Sequence, residues 1–354
     1  LRLALPGTSI LADPRRAKAF CGAAIAQITE GTSMRYLPRE LTDLSWEPAH
    51  TFLGLDEAES WQDAGVLILP VPYEATVSYQ GGTRRGPSAI LEASKYVEFY
   101  DQELDAEPCD VGIATLPALH LTGAGPREAV AELRSAYDRL LDVAGERLVV
   151  MLGGEHSLTS AAVLAHAGRV ARDGGRLTVL QFDAHADLRP DYEGSPYSHA
   201  SVMARCMDAV DIVSVGIRAL TREERSLTRE RDSITTLFAE EMWRDAAWVD
   251  RTISALGESV YITFDVDYFD PSMMPATGTP EPGGPPWYPT LQLLRRVFAE
   301  REVRGLDIVE LAPIPGNAAP DFAVAKLLYK MVGYWREGRT GSDGAAGAAN
   351  SLQI

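Results

Sequence analysis

One pattern recurs along the chain. A short, β-branched, nearly continuous apolar run ends in a polar or Gly-rich stretch, and a helical period follows. The runs cover residues 66–70, 147–152, 177–182, 211–216, 260–264 and 303–309. Apolar character at nearly every position predicts strands buried on both faces. Between them, residues 127–146 place Val130, Leu133, Tyr137, Leu140 and Leu141 at three- and four-residue intervals. That is the period of an amphipathic helix. Residues 158–172, 290–300 and 322–337 read the same way. The alternation predicts an α/β fold: three layers, α/β/α, with a mainly parallel central sheet.

There is no internal repeat, and no linker divides the core. A single domain is expected over residues 35–337. The first methionine is Met34, so residues 1–34 are expected to form an N-terminal extension outside the fold, or a short helical arm near residues 17–28. From Gly338 onward the chain is rich in Gly, Ala and Ser, a composition that predicts a flexible tail over residues 338–354.

Composition narrows the function classes. Hydrophobic residues make up 46% of the 354, enough for a sizeable core, which excludes disorder of the whole chain. The balance of 33 Lys+Arg against 50 Asp+Glu leaves a formal charge of −17. Such a surface argues against nucleic acid and suits a cationic small molecule. No apolar run approaches the ~20 residues of a membrane helix. The three cysteines, Cys21, Cys109 and Cys206, form neither a disulfide framework nor a C-x-x-C metal site, which fits a cytoplasmic location.

The informative feature is where acidic and histidine residues sit. His156 follows one predicted strand, Asp183, His185 and Asp187 follow a second, and Asp265 and Asp267 follow a third. In open parallel sheets the carboxyl ends of the strands bind ligands. In extended chain, residues i, i+2 and i+4 share a side, so Asp183, His185 and Asp187 are expected to converge, as are Asp265 and Asp267. Four carboxylates in a partly dry cleft would repel one another strongly. Two divalent cations would balance them, and oxygen-rich ligation with some imidazole suits Mn²⁺. Paired metals make a bridging hydroxide nucleophilic near neutral pH.

These residues lie in three stretches: Gly153-Gly154-Glu155-His156-Ser157, Asp183-Ala184-His185-Ala186-Asp187, and Phe264-Asp265-Val266-Asp267 through Asp270-Pro271 with Pro275-Ala276-Thr277-Gly278-Thr279-Pro280. Together they resemble the three signatures of the ureohydrolases, the family of arginase, agmatinase and relatives that hydrolyse guanidino compounds to urea and an amine. Many members carry Asp where this chain has Glu155. The resemblance implies an arginase-like fold and two Mn²⁺ ions per subunit. One would be held by His156, Asp183, Asp187 and Asp265, the other by Asp183, His185, Asp265 and Asp267. Asp187 would also orient the bridging hydroxide. His199, in Ser198-His199-Ala200-Ser201, would protonate the departing amine, and Glu310 would grip the guanidinium. Trimers or hexamers are implied as well.

The substrate is read from the loops. Arginase-like members carry an Asn just after the second motif, where this chain has Arg189. That argues against arginine, and residues 81–90, 187–203 and 278–284 look most like agmatinases. Agmatine, yielding putrescine, is therefore the expected substrate. Its terminal amine would suit an acidic or aromatic pocket, for which Glu74, Tyr79, Glu193, Glu281 and Trp287 are candidates. Arg189 could instead bind a substrate carboxylate, as in 4-guanidinobutyrate, or pair with Asp191. Guanidinopropionate, free guanidine and, despite Arg189, arginine are further ureohydrolase options. A non-catalytic polyamine-binding relative is opposed by the intact set of ligand positions, and a single-zinc deacetylase by the paired Asp-x-His-x-Asp and Asp-x-Asp stretches. His50 and His120 are read as loop residues, His166 as helix packing or surface.

Overall fold

The computed structural model describes residues 50–55 and 61–350, with side chains described as far as residue 339. The N-terminal extension, the start of the predicted domain and Cys21 lie outside the described residues. Each predicted strand is present, within two residues at its ends: β1 (Val66–Val71), β3 (Leu148–Gly153), β4 (Leu177–Phe182), β5 (Asp211–Ile217), β7 (Ser259–Asp265) and β8 (Glu302–Val309). Two edge strands complete the sheet, β2 (Ile113–Thr115) and β6 (Ile234–Phe238). The first is too short to show a pattern, and the second is half exposed, with Thr235 and Thr236 among its apolar residues.

The eight strands are all parallel, in the order β2-β1-β3-β8-β7-β4-β5-β6. Alternate residues of each inner strand feed two different cores. Val66, Ile68, Val150 and Ile308 pack into one, and Leu67, Leu69, Val149 and Met151 into the other. Helices α1 (Gly86–Ser94), α7 (Trp248–Ala255), α8 (Trp287–Glu300) and α9 (Ala319–Asn350) cover the first face. Helices α2 (Pro126–Ala144), α3 (Thr159–Arg172) and α4 (Val202–Cys206) cover the second. Short helices α5 (Arg222–Glu230) and α6 (Ala239–Arg244) flank β6. The three-layer α/β/α fold is the one expected. Helix α9 runs on past Gly338 to Asn350, where composition suggests a tail. Four alanines, the best helix former, lie among the glycines of that stretch.

His166 sits on α3 between the rings of Tyr137 and Tyr261, at centroid distances of 5.8 and 5.2 Å. It is core packing, one of the two options left by the sequence. Burial, aided by Arg169 and Arg304, pushes its imidazole down from 6.5 to about 3. The unfolded chain takes up this proton near pH 6.5, whereas the folded chain resists it until about pH 3. His166 therefore removes stability as pH falls through that window, by about 1.4 kcal/mol per pH unit. His166→Leu is expected to flatten the acid limb of urea-unfolding stability between pH 6.5 and 3. An unchanged slope would refute that source.

Candidate active site

Four neighbouring strands, β3, β8, β7 and β4, end at one place. His156 lies in the turn after β3, Glu310 directly follows β8, Asp265 ends β7, and Asp183 directly follows β4. The turn after β3 needs its glycine: a Cβ on Gly154 would lie 1.9 Å from the Tyr73 carbonyl oxygen. The site residues converge as expected, but not along extended chain. Asp267 sits in a 3-10 turn, Val266–Tyr268, whose first N–H groups need an acceptor, and the Asp265 carboxylate takes the Asp267 N–H at 2.9 Å. Asp187 has a left-handed backbone, φ 53°, as does Glu310, φ 65°. Non-glycine residues held there carry strain, which clusters at functional sites.

Asp183 faces both imidazoles. Its Oδ2 lies 3.2 Å from His156 Nδ1, and its Oδ1 lies 3.6 Å from His185 Nδ1. Asp187 and Asp265 approach His156 Nδ1 to 3.1 and 3.4 Å, and Asp267 approaches His185 Nδ1 to 2.9 Å. His156 Nδ1 is buried, ringed by these oxygens, yet makes no hydrogen bond. Its other nitrogen, Nε2, lies 2.9 Å from Thr263 Oγ1, which donates to Asp307 Oδ1 at 2.7 Å. Tyr261 donates to the second Asp307 oxygen at 2.8 Å. With its proton committed to Asp307, Thr263 is set to accept from His156 Nε2, an arrangement in which Nδ1 could serve a metal ion. A second support runs from Ser214 through Gln181 to Asp183. Ligand atoms of His156, Asp183 and Asp187 lie within 4.8 Å of one another, as do those of Asp183, His185 and Asp267. Both groups could hold a metal ion.

The electrostatics say the same. Burial alone would lower the His156 pKa, but Asp183, Asp187 and Asp265 raise it well above the ordinary imidazole range. His185 is held up at about 12 by Asp267 and Asp183, against burial. Burial and the Asp183 charge push Asp187 up to about 7, and burial with Asp267 and Asp183 raises Asp265 well above its ordinary value. Asp183 is lowered, because His156 and His185 outweigh its burial. Without cations the cluster must hold protons. Divalent ions would replace them.

A cavity of about 250 Å³ opens over this cluster. Besides the metal-ligand candidates other than Asp183, its lining includes His199, Glu310, Arg189 and Glu281. His199 stands on a short 3-10 turn capped by Ser198, and burial lowers its pKa. Glu310 accepts the His156 N–H at 2.6 Å, and burial raises its carboxyl to about 8. Arg189 lies over the Tyr192 ring at 4.7 Å, with Nε 3.9 Å from Glu224 rather than paired with Asp191. Of the five tail-pocket candidates only Glu281 lines the cavity. Trp287 stacks on Phe269 at 6.1 Å, because its helix start packs into the core. Glu74 accepts from Gly82 N, Thr83 Oγ1 and Arg84 N, fixing its own loop. Tyr79 and Glu193 are exposed loop residues outside the lining, as are His50 and His120. A larger cavity, about 590 Å³, lies at the opposite end of the sheet among Arg147, His166, Phe298 and Arg304. It lacks this convergence of ligand atoms, so size does not mark the site.

Sequence reasoning missed the supporting residues. Gln181, Thr263 and Asp307 are polar positions inside apolar strand runs, and that interruption was the available signal. Arg218, just past β5, gave none. Its guanidinium donates to the carbonyls of Asp267 at 2.7 Å and Glu281 at 2.8 Å, tying the Val266–Tyr268 turn to the cavity rim.

Comparison with known proteins agrees with this geometry. The Arginase family model matches residues 64–333. An N(1)-aminopropylagmatine ureohydrolase of Synechocystis sp. is 40% identical over 81% of this chain and 94% of its own. An agmatinase of Pyrococcus horikoshii is 32% identical over 77% and 92%. Among solved structures, the agmatine ureohydrolase of Thermoplasma volcanium superposes with a TM-score of 0.72 at 26% identity, covering 86% of this chain and 99% of its own. The chain is a ureohydrolase and belongs to the arginase family.

Proposed function

We propose that this enzyme hydrolyses the guanidino group of N(1)-aminopropylagmatine, releasing urea and the corresponding triamine. The observation that carries the reaction class is the convergence of four Asp, two His and Glu310 at the ends of four adjacent strands. His156, Asp183, Asp187 and Asp265 would hold one divalent ion, and Asp183, His185, Asp265 and Asp267 the second, with Mn²⁺ the ion favoured by the donor set. Such a pair supplies a hydroxide nucleophile near neutral pH. The protein's own groups do the rest. Glu310 holds the guanidinium through charge-assisted hydrogen bonds, fixing its carbon over the cluster. His199 delivers the proton that lets the amine depart. The free thiols of Cys109 and Cys206 suit a reducing cytoplasm. Among the described residues no helix is long and apolar enough to cross a membrane.

The longer substrate is favoured by the relatives that share 40% and 39% identity, both named for it. Agmatine itself is the second reading, favoured by relatives named agmatinase at 32% and 31% identity. Glu281 is the cavity carboxylate left over for a substrate ammonium, since Glu224 is committed to its own helix cap and to Leu188 N. Urea release with Mn²⁺ supplied, measured over both compounds, arginine and 4-guanidinobutyrate, tests the assignment. Reserved for the ammonium of the aminopropyl arm, which agmatine lacks, that one Glu281 contact predicts kcat/KM about tenfold higher for aminopropylagmatine than for agmatine. The reverse order would favour agmatine, and a preference for 4-guanidinobutyrate would give Arg189 the carboxylate-binding role.

A further inference from the structure

Glu155 is fully buried beside His156, yet it is not among the residues lining the cavity. Both its oxygens are used within the protein. Oε2 accepts the backbone N–H groups of Ala75 and Thr76, the latter at 2.6 Å. Oε1 accepts the hydroxyls of Thr76 at 2.8 Å and Ser157 at 2.5 Å. Thr76 Oγ1 in turn accepts the backbone N–H of His199 at 3.0 Å and lies 3.4 Å from its Nδ1. Two residues further along the same loop, Ser78 Oγ lies 3.3 Å from His199 Nε2. The loop of residues 75–78 thus flanks both ring nitrogens of His199 and hangs on one carboxylate.

From this geometry we infer that Glu155 is a positioning residue for His199, acting through Thr76. The residue type matters. A carboxylate only accepts, so four donors can point at it, whereas an amide would turn one oxygen into a donor. An aspartate here would end about 1.5 Å short of the loop. The extra methylene of Glu155 is what lets the first motif reach the loop that fixes the proton donor.

The inference rests on the reading of His199 as donor to the leaving amine, so the test separates the two. Thr76→Val removes the hydroxyl link while keeping side-chain shape, and it touches no metal-ligand candidate. Wild type, Thr76→Val, Thr76→Ser and His199→Ala, each loaded with Mn²⁺, are compared for bound metal and for kcat. The substrates are the best alkylguanidine and an arylguanidine whose leaving amine is weakly basic. Loss of a general acid costs ~10²–10⁴-fold, and a displaced one is expected to lower kcat of Thr76→Val about tenfold or more on the alkylguanidine. On the arylguanidine, whose amine departs with little protonation, the loss is expected to shrink to about threefold or less. Metal content should stay at the wild-type level, and Thr76→Ser should recover most of the turnover. If Thr76→Val does not fold, Thr76→Ala carries the same expectations. Equal loss on both substrates, loss of metal, or wild-type turnover in Thr76→Val overturns the positioning role. An unaffected His199→Ala overturns it together with the role of His199. A wild type that releases no urea from any guanidino compound overturns the functional reading itself.

Discussion

Asp183→Ala is expected to abolish urea release and to leave the purified enzyme with fewer bound metal ions than wild type. Its carboxylate is the group placed between the two imidazoles, one oxygen toward His156 and the other toward His185. It is fully buried, and it also accepts the His185 N–H at 2.6 Å and the Gln181 amide at 2.8 Å. Removing it deletes a shared ligand from both candidate metal groups and leaves the amide of Gln181 without this acceptor. Second-sphere partners of a metal typically contribute 10–100-fold to affinity, so a shared ligand should cost more than about 100-fold. Atomic emission on the desalted protein, beside a urea assay at saturating Mn²⁺, measures both effects. A variant holding as much metal as wild type and still turning over would refute the assignment of Asp183.

Glu310→Gln is expected to act on substrate rather than metal. The glutamine keeps an oxygen for the His156 N–H, so the turn after β3 retains its contact. It loses the negative charge. In the free protein burial is the main influence on this carboxyl, and with the Glu155 charge it outweighs the His156 N–H and raises the pKa to about 8. A substrate guanidinium, always charged, would be the partner such a site lacks. Breaking a desolvated, hydrogen-bonded charge pair costs about 2–5 kcal/mol, or ~30- to several-thousand-fold. That loss should appear in kcat/KM with metal content unchanged. Steady-state kinetics on the preferred substrate, with metal analysis of the same preparation, checks it. A kcat/KM within about twofold of wild type would remove Glu310 from guanidinium binding.

How much of this was legible beforehand differs from residue to residue. His156, Asp183, His185, Asp187, Asp265 and Asp267 could be picked out because each follows an apolar run that can only be a buried strand. The same logic placed Glu310 at the end of its strand, where it lines the cavity. It could not show that β8 and β7 insert between β3 and β4, since strand order depends on long-range pairing. Extended-chain alternation gave the right convergence for the wrong reason, because a 3-10 turn at Val266–Tyr268 and left-handed backbone at Asp187 do the aiming. Trp287 shows the opposite error: an aromatic residue near a signature looked like a pocket wall and is packed on the core.

The sequence by itself determined the α/β class, the strand positions and the residues of the metal-ligand candidate set. Apolar periodicity and residue type are local properties, and both are written along the chain. Tertiary structure alone decided that Thr263 and Asp307 leave His156 Nδ1 facing three carboxylates. It alone decided that Arg218 ties the Glu281 loop to Asp267, and that Glu155 reaches Thr76 and thereby His199. Each of these links joins residues from different strands or loops. A hydrogen bond depends on tenths of an ångström between groups that can lie a hundred residues apart, and only the packed sheet fixes that distance.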